Sequence, residues 1–267
     1  MAEAEARRVT YTGYYDAESR SVRGVVPTEA IVTLHVNGQR LVRLICTPTQ
    51  LKDLALGFLF NEGLIEGFED VAVAELCGDG DGVDIWLEHD IERPEVRVIT
   101  SGCSGGTTFE DVRRSHQPVE SSLVITPEEV TTLMESLSDA ASLYRRAGGV
   151  HTAALAFLDR EDPLTCVADD VGRHNTLDKI AGTCLREGWS TRGGVLLSSG
   201  RISSEMVSKA ARMGAPVVVS RTSPTSLSIE LAEAWRIALV GYTRRRSFRV
   251  YAGEERVVVD REGGGRR

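Results

Sequence analysis

The chain has 267 residues, with 39 Asp and Glu against 31 Lys and Arg, a formal net charge of −8 and a pI of about 5.3. That sign excludes a general nucleic-acid binder, whose field has to be basic to match a phosphate backbone. With 42% hydrophobic and 26% charged residues the composition is that of a globular protein, long enough for one large domain or two small ones. No run approaches the roughly 18 apolar residues of a membrane span, and the opening MAEAEARR lacks the apolar core of a secretion signal. The expectation is a cytoplasmic protein with no membrane contact.

In the first half, residues 31–36 alternate as a strand and run into Asn37-Gly38, the turn of a hairpin whose second strand is 40–46. Residues 47–50, Thr-Pro-Thr-Gln, read as a capping box with Pro at the first helical position. Leu51, Leu54, Ala55, Phe58 and Leu59 then recur at helical spacing, and Gly63 is placed to end that helix. Residues 83–87 and 95–100 read as further strands. Residues 107–122 are polar and read as a linker or a weakly marked helix.

The pattern changes after that stretch. Thr126-Pro127-Glu128-Glu129 is a second capping box, and it opens a helix that carries Val130, Leu133, Met134, Leu137, Ala141 and Tyr144 and stops at Gly148-Gly149. Strands at 151–158, 164–168, 195–199, 217–220 and 238–242 alternate with helices at 175–186, 203–212 and 226–236. Strands separated by helices need crossovers and a sheet covered on both faces, so this half is an α/β layer domain. The tails, 1–8 and 262–267, are expected to be mobile. The division is therefore a β-rich part over 1–106, a connecting stretch over 107–122 and an α/β domain over 123–267.

Five cysteines, an odd number, are widely spaced with no C-x-x-C, which argues against a disulfide framework or a structural zinc site of close ligand pairs. Cys46, Cys166 and Cys184 fall at apolar strand or helix positions, where a free thiol is usually an inert small hydrophobe. Cys77 opens a tight turn, CGDGDG. Cys103 lies in TSGCSGG, directly after a predicted strand, where flanking glycines leave a sulfur little cover; an inconsequential loop residue is the plain alternative.

Residues 169–179, DDVGRHNTLDK, place Arg173 and His174 among carboxylates at a helix edge, either around an anion or polar ring or as a solvated first turn. His151 opens an apolar strand and is more often structural than a ligand. Two strand-to-helix loops, SSGRISSEMVSKAA (198–211) and SRTSPTSLSIELAE (220–233), direct amides and helix dipoles as a phosphate site requires, with Arg201, Ser220 and Thr222 in them. Ordinary Ser/Thr caps are the alternative, and neither loop is a nucleotide-hydrolysing P-loop. Residues 194–251 hold nine basic residues, Arg201, Lys209, Arg212, Arg221, Arg236, Arg244, Arg245, Arg246 and Arg249, against Glu205, Glu230 and Glu233. That segment is +6 in a body of −14, a match for a compact polyanion such as a nucleotide or phosphorylated pterin.

Taken in order, LKDLALGFLFNEGLI (51–65), TSGCSGG, DDVGRHNTLDK, SSGRISSEMVSKAA, SRTSPTSLSIELAE and GYTRRRSFRVY (241–251) resemble the FdhD family, the formate dehydrogenase accessory sulfurtransferases. The resemblance implies a cytidine-deaminase-like, three-layer C-terminal domain beside a smaller β-rich N-terminal one. It also implies a sulfur carrier that takes a persulfide from a cysteine desulfurase and passes sulfur to the molybdenum bis(molybdopterin guanine dinucleotide) cofactor of formate dehydrogenase, its client. GDP or GMP would act as a partial mimic of that cofactor, and a homodimer is implied. Carried over by motif, Cys103 is the persulfide-bearing residue and Tyr242, Thr243, Arg244, Arg245, Arg246 and Ser247 form the cofactor-binding stretch. Many members have C-G-x-C-G where this chain has Cys103 followed by Ser-Gly-Gly, with Gly106 in the second cysteine's place, which leaves a single-thiol carrier. A zinc deaminase is excluded, because His151 is followed by Thr152-Ala153 rather than by x-Glu and no C-x-x-C exists. The alternative from another class is a cofactor-binding chaperone in which Cys103 plays no part.

Overall fold

In the computed structural model, residues 5–78, 81–91, 98–99, 107–108 and 116–259 are described. The chain opens with a long antiparallel hairpin, β1 (Ala6–Tyr15) and β2 (Glu18–Pro27), in ten-residue register. The mobile tail expected over 1–8 is thus corrected at 6–8, which are strand. The sequence concealed this hairpin because most of its side chains are exposed, so it has no apolar face to betray a period of two. Its base is fixed by Ala6 and Val25, which pack with Leu143 and Val150, and by an ion pair between Glu5 and Arg146.

Next comes a four-stranded sheet in the order β4-β3-β6-β5, built from β3 (Ala30–Val36), β4 (Gln39–Cys46), β5 (Val71–Cys77) and β6 (Gly82–Leu87). Asn37 and Gly38 both take positive φ, 48° and 72°, as a tight hairpin turn between right-twisted strands requires. Helix α1 (Leu51–Asn61) covers one face of this sheet through Leu51, Leu54, Phe58 and Leu59. The capping box expected at 47–50 does not form. The helix starts at Leu51 behind a left-handed Gln50 with no side-chain cap. Thr47 is instead fully buried: its N–H donates to Asp170 Oδ2 at 3.1 Å and its hydroxyl accepts from the Val171 N–H at 3.2 Å. A tertiary contact has taken the residue that local chemistry would have used as a cap. Of the strand expected at 95–100, only β7 (Val98–Ile99) is described, paired with β8 (Thr107–Thr108).

Residues 116–122 form no regular element, with the Val119 N–H bonded to the Trp235 carbonyl and the His116 ring edge-on to Trp235, so no helix forms there. Helix α2 (Pro127–Ala140) has the expected Thr126/Glu129 capping box. It does not continue through Tyr144: Ala141 leaves helical torsions (ψ 62°), and a separate short helix, α3 (Ser142–Ala147), follows with Tyr144 exposed. A six-stranded sheet, β10-β9-β11-β12-β13-β14, forms the centre. Its strands are β9 (His151–Ala156), β10 (Leu164–Asp170), β11 (Val195–Ser198), β12 (Val217–Ser220), β13 (Ala238–Arg244) and β14 (Ser247–Ala252), and β11, β12 and β13 are parallel. One face packs on α2; the other packs on α4 (Arg173–Glu187), α5 (Ser204–Arg212) and α6 (Ser226–Ala234), giving three layers.

The two sheets are joined through a close crossing of α1 on α4. A Cβ added at Gly57 would overlap the Asp178 carbonyl, and one at Gly182 would overlap the Asp53 carbonyl. Polar contacts flank the crossing: Asn61 Nδ2 donates to Asp178 Oδ1 at 2.8 Å, and Arg186 Nε donates to Asp53 Oδ1 at 2.8 Å. No helix among the described residues is long and apolar enough to cross a membrane.

Candidate cofactor cleft

The C-terminal ends of β11, β12 and β13 lie side by side, and this edge of a parallel sheet is where α/β folds most often bind ligands. The loops leaving it are pinned to one another. Ser220 Oγ donates to the Gly200 carbonyl at 2.6 Å and accepts from the Thr222 N–H at 3.0 Å, and the Thr222 carbonyl accepts from the Tyr242 N–H at 2.9 Å. Ser220 and Thr222 therefore shape the edge. Gly241 must be small here, because a Cβ would stand 2.8 Å from the Thr222 carbonyl.

Just beyond Gly241 the register with β14 shifts and Tyr242 takes a positive φ of 51°. Such a bulge re-aims side chains. The Tyr242 ring lies 4.4 Å from the Arg249 guanidinium, while Thr243, Arg244, Arg245 and Arg246 turn toward α2. With Thr131, Glu135, Ser138 and Asp139 of α2 and with Arg221, they line a cleft of about 850 Å³. Arg221 Nη1 donates to Ser138 Oγ at 2.9 Å, and Arg244 donates to the Arg221 carbonyl. Ser247 pairs with Arg244 across the hairpin tip. Thr243 is 3% exposed, and among the described residues its hydroxyl oxygen, shut off from solvent, has no hydrogen-bond partner.

A second cleft of about 480 Å³ adjoins the first and shares Met134, Ser138 and Arg221 with it; its polar lining includes His151, Thr152, Ser199, Tyr144 and Arg145. His151 and Arg173 flank Gly200, whose missing Cβ would come within 3.1 Å of both. Burial and the adjacent guanidinium groups of Arg173 and Arg201 lower the His151 pKa, so its ring is neutral near pH 7.

His174 lies on the helical side of the sheet. Its Nε2 is 3.0 Å from Ser203 Oγ and 3.3 Å from Glu205 Oε2. Burial, with help from Arg173 and Lys209, holds His174 well below its ordinary pKa, while burial pushes Glu205 up to about 7. Glu205 sits in the first turn of α5, whose Ser203 N-cap makes no side-chain cap, and α6 starts with its own Thr225/Ser228 capping box. From these two loops, Ser199 and Arg221 line the clefts.

The basic segment is sorted in the same way. Lys209 is buried against Asp178 at 2.5 Å, Arg212 binds the Phe60 and Ile65 carbonyls, and Arg236 pairs with Glu120. Arg201, Arg221, Arg244, Arg245, Arg246 and Arg249 remain exposed. The α2 contribution went unread in the sequence, though the polar stripe of an amphipathic helix, Thr131, Glu135, Ser138, was visible as its signal.

The family comparison decides what kind of protein carries this cleft: the sequence model of the FdhD/NarQ family matches residues 27–258. The chain belongs to the FdhD/NarQ family. It is 37% identical over 238 residues to the sulfur carrier protein FdhD of Bacillus licheniformis, covering 86% of this chain and 89% of that one. Against the protein of the same name from Bacillus subtilis (strain 168) it is 35% identical over 258 residues, 91% and 94% of the two chains. Its fold matches a crystal structure described as a formate dehydrogenase accessory protein from Desulfotalea psychrophila, with a TM-score of 0.80 at 23% identity over 95% of this chain and 99% of that one.

For an FdhD/NarQ member the state of each thiol matters. Cys103 lies outside the described residues, and four other cysteines are free thiols. Cys46 is fully buried and pushed up to about 12 by burial and by Asp170. The Cys184 thiol shares a hydrogen bond with the Cys166 thiol in the core, and that hydrogen bond together with burial holds it far above the ordinary range. Partial burial and a hydrogen bond to Asp84 push Cys77 up to about 11. Thiolate is the reactive form, so Cys46, Cys184 and Cys77 are poor nucleophiles near pH 7, and Cys166, 7% exposed, is closed to a protein partner.

Proposed function

We propose that this chain is a sulfur carrier that accepts a persulfide sulfur on Cys103 from a cysteine desulfurase and passes it to a molybdenum bis(molybdopterin guanine dinucleotide) cofactor destined for formate dehydrogenase. Family membership and relatives named as sulfur carriers support the carrier role. The observation that carries the assignment of the cofactor is the arginine-lined cleft between α2 and the β13–β14 tip. Its donor set suits a guanine nucleotide: Arg244, Arg245, Arg246 and Arg221 are donors for diphosphate oxygens, and Glu135 and Asp139 are acceptors for the N1–H and N2–H₂ edge of guanine.

The sulfur step is a nucleophilic exchange. The Cys103 thiolate attacks the outer sulfur of the desulfurase persulfide and displaces the desulfurase thiolate, so the transferred atom keeps its oxidation level. Its conversion into a sulfido ligand takes two electrons. With Gly106 in place of a second cysteine, the TSGCSGG segment holds no partner thiol to supply them by forming a disulfide. The reductant therefore comes from outside this segment.

The cleft is tested by calorimetry with GDP as ligand. Replacing Arg244, Arg245 and Arg246 with Ala should weaken binding at least about ten-fold, with the loss largest at low salt because phosphate contacts are screened. Unchanged affinity would remove the cleft from the account.

A further inference from the structure

The four-stranded sheet has a second face, turned away from α1, and the alternation of its strands gives that face an unexpected donor set. Leu34, Val36, Val83 and Ile85 point to the covered side. His35, opposite Asp84 in the parallel pair, and Cys77, opposite Gly82 in the antiparallel pair, therefore project from the other side. Three adjacent strands, β3, β6 and β5, thus contribute one imidazole, one carboxylate and one thiol to a single patch. Their ligand atoms all lie within 4.8 Å of one another.

Two details set this apart from a chance polar surface. Among the described residues, His35 Nδ1 is shut off from solvent and makes no hydrogen bond, although it stands 3.3 Å from Asp84 Oδ1. A buried ring nitrogen normally has a partner, and this one faces a carboxylate oxygen and a sulfur. Cys77 Sγ fits over Gly82, where a Cβ would come within 3.0 Å of the sulfur; any larger residue there would push the thiol out of the group. Side-chain exposures of 32% for His35 and 44% for Asp84 leave the patch open to an ion from solution.

We propose that His35, Cys77 and Asp84 form a binding site for a divalent transition-metal ion of the zinc type, with water in the fourth position. A nitrogen, a sulfur and an oxygen ligand suit a borderline-soft ion such as Zn²⁺ or Co²⁺, whereas Mg²⁺ and Ca²⁺ require oxygen. Binding releases the Cys77 proton to solvent and involves no change of oxidation state. The ion would tie β5 to the interior strands β6 and β3. The site is independent of the sulfur-carrier reading, because none of its residues lies in the cleft or in the Cys103 loop.

The test is titration of the reduced full chain with Co²⁺, whose thiolate-to-metal charge-transfer absorption reports sulfur ligation, followed by competition with Zn²⁺. One equivalent should bind. Cys77→Ser should abolish the absorption, His35→Ala should weaken binding at least about ten-fold, and Cys103→Ala should leave both unchanged. As a check that needs no variant, Zn²⁺ should protect Cys77, and not Cys103, from alkylation mapped by mass spectrometry. Absence of the absorption, its survival in Cys77→Ser, or its loss in Cys103→Ala would each overturn the proposal, the last by placing the metal on the carrier thiol.

Discussion

Glu205 shows how one buried carboxyl links the loop after β11 to pH. It faces His174, Lys209 and Arg173, with Glu62 and Asp178 nearby, and burial raises it to about 7 despite the cations. The folded state thus holds this proton more tightly than the unfolded chain, whose Glu titrates near its ordinary value. The stability this confers is present at acid pH and is lost as pH rises from about 4.5 through 7. His174, depressed in the folded state, contributes in the opposite direction, with stability gained as pH rises through its folded value toward the unfolded one. Glu205→Gln isolates the first effect: the stability of wild type minus variant, from denaturant unfolding, should fall across that window by up to about 3 kcal/mol. Parallel pH profiles would show that Glu205 titrates normally. None of this was legible in the sequence, where residues 169–179 read equally well as a solvated turn. What decides between the readings is the burial of Asp170, Arg173, His174, Asp178 and Lys179 by α1 and α5, elements distant in the chain.

At the scale of elements, the α1–α4 crossing is the point of least tolerance. Each glycine carries the neighbouring helix's backbone in the space of its own Cβ, so even one methyl group must separate the two sheets' supports. Gly57→Ala and Gly182→Ala should each destabilise the protein by about 1–3 kcal/mol or more in chemical denaturation, although alanine is the better helix former. An unchanged or raised midpoint would show that the helices are not packed this closely. Elements with a clear burial pattern were readable: α2 with its capping box and apolar face, the core of α4, and β11 and β12, short apolar strands buried on both faces. The β1–β2 hairpin, β5 and β14 were not: most side chains of β1, β2 and β5 are exposed, and those of β14 are mostly only partly buried, so none shows a clear apolar face. The Thr47 cap failed for the opposite reason, since its polar groups satisfy Asp170 and Val171 instead.

For the whole molecule, the contrast between a −14 body and a +6 segment was sound as arithmetic but overstated as a site. Lys209, Arg212 and Arg236 are spent on internal partners, and the fold leaves Arg244, Arg245, Arg246 and Arg221 facing one cleft. The tyrosine-to-serine stretch 242–247 was identified through family resemblance, and the structure supplies its setting: a bulged hairpin tip held against α2. The central claim concerns the thiol. Incubating the full chain with a cysteine desulfurase and cysteine, then mapping peptides by mass spectrometry without reductant, tests it directly. A single-thiol carrier should show a mass increase of one sulfur atom on Cys103 and unmodified Cys46, Cys77, Cys166 and Cys184; an adduct on any of those four, or none on Cys103, would rule it out.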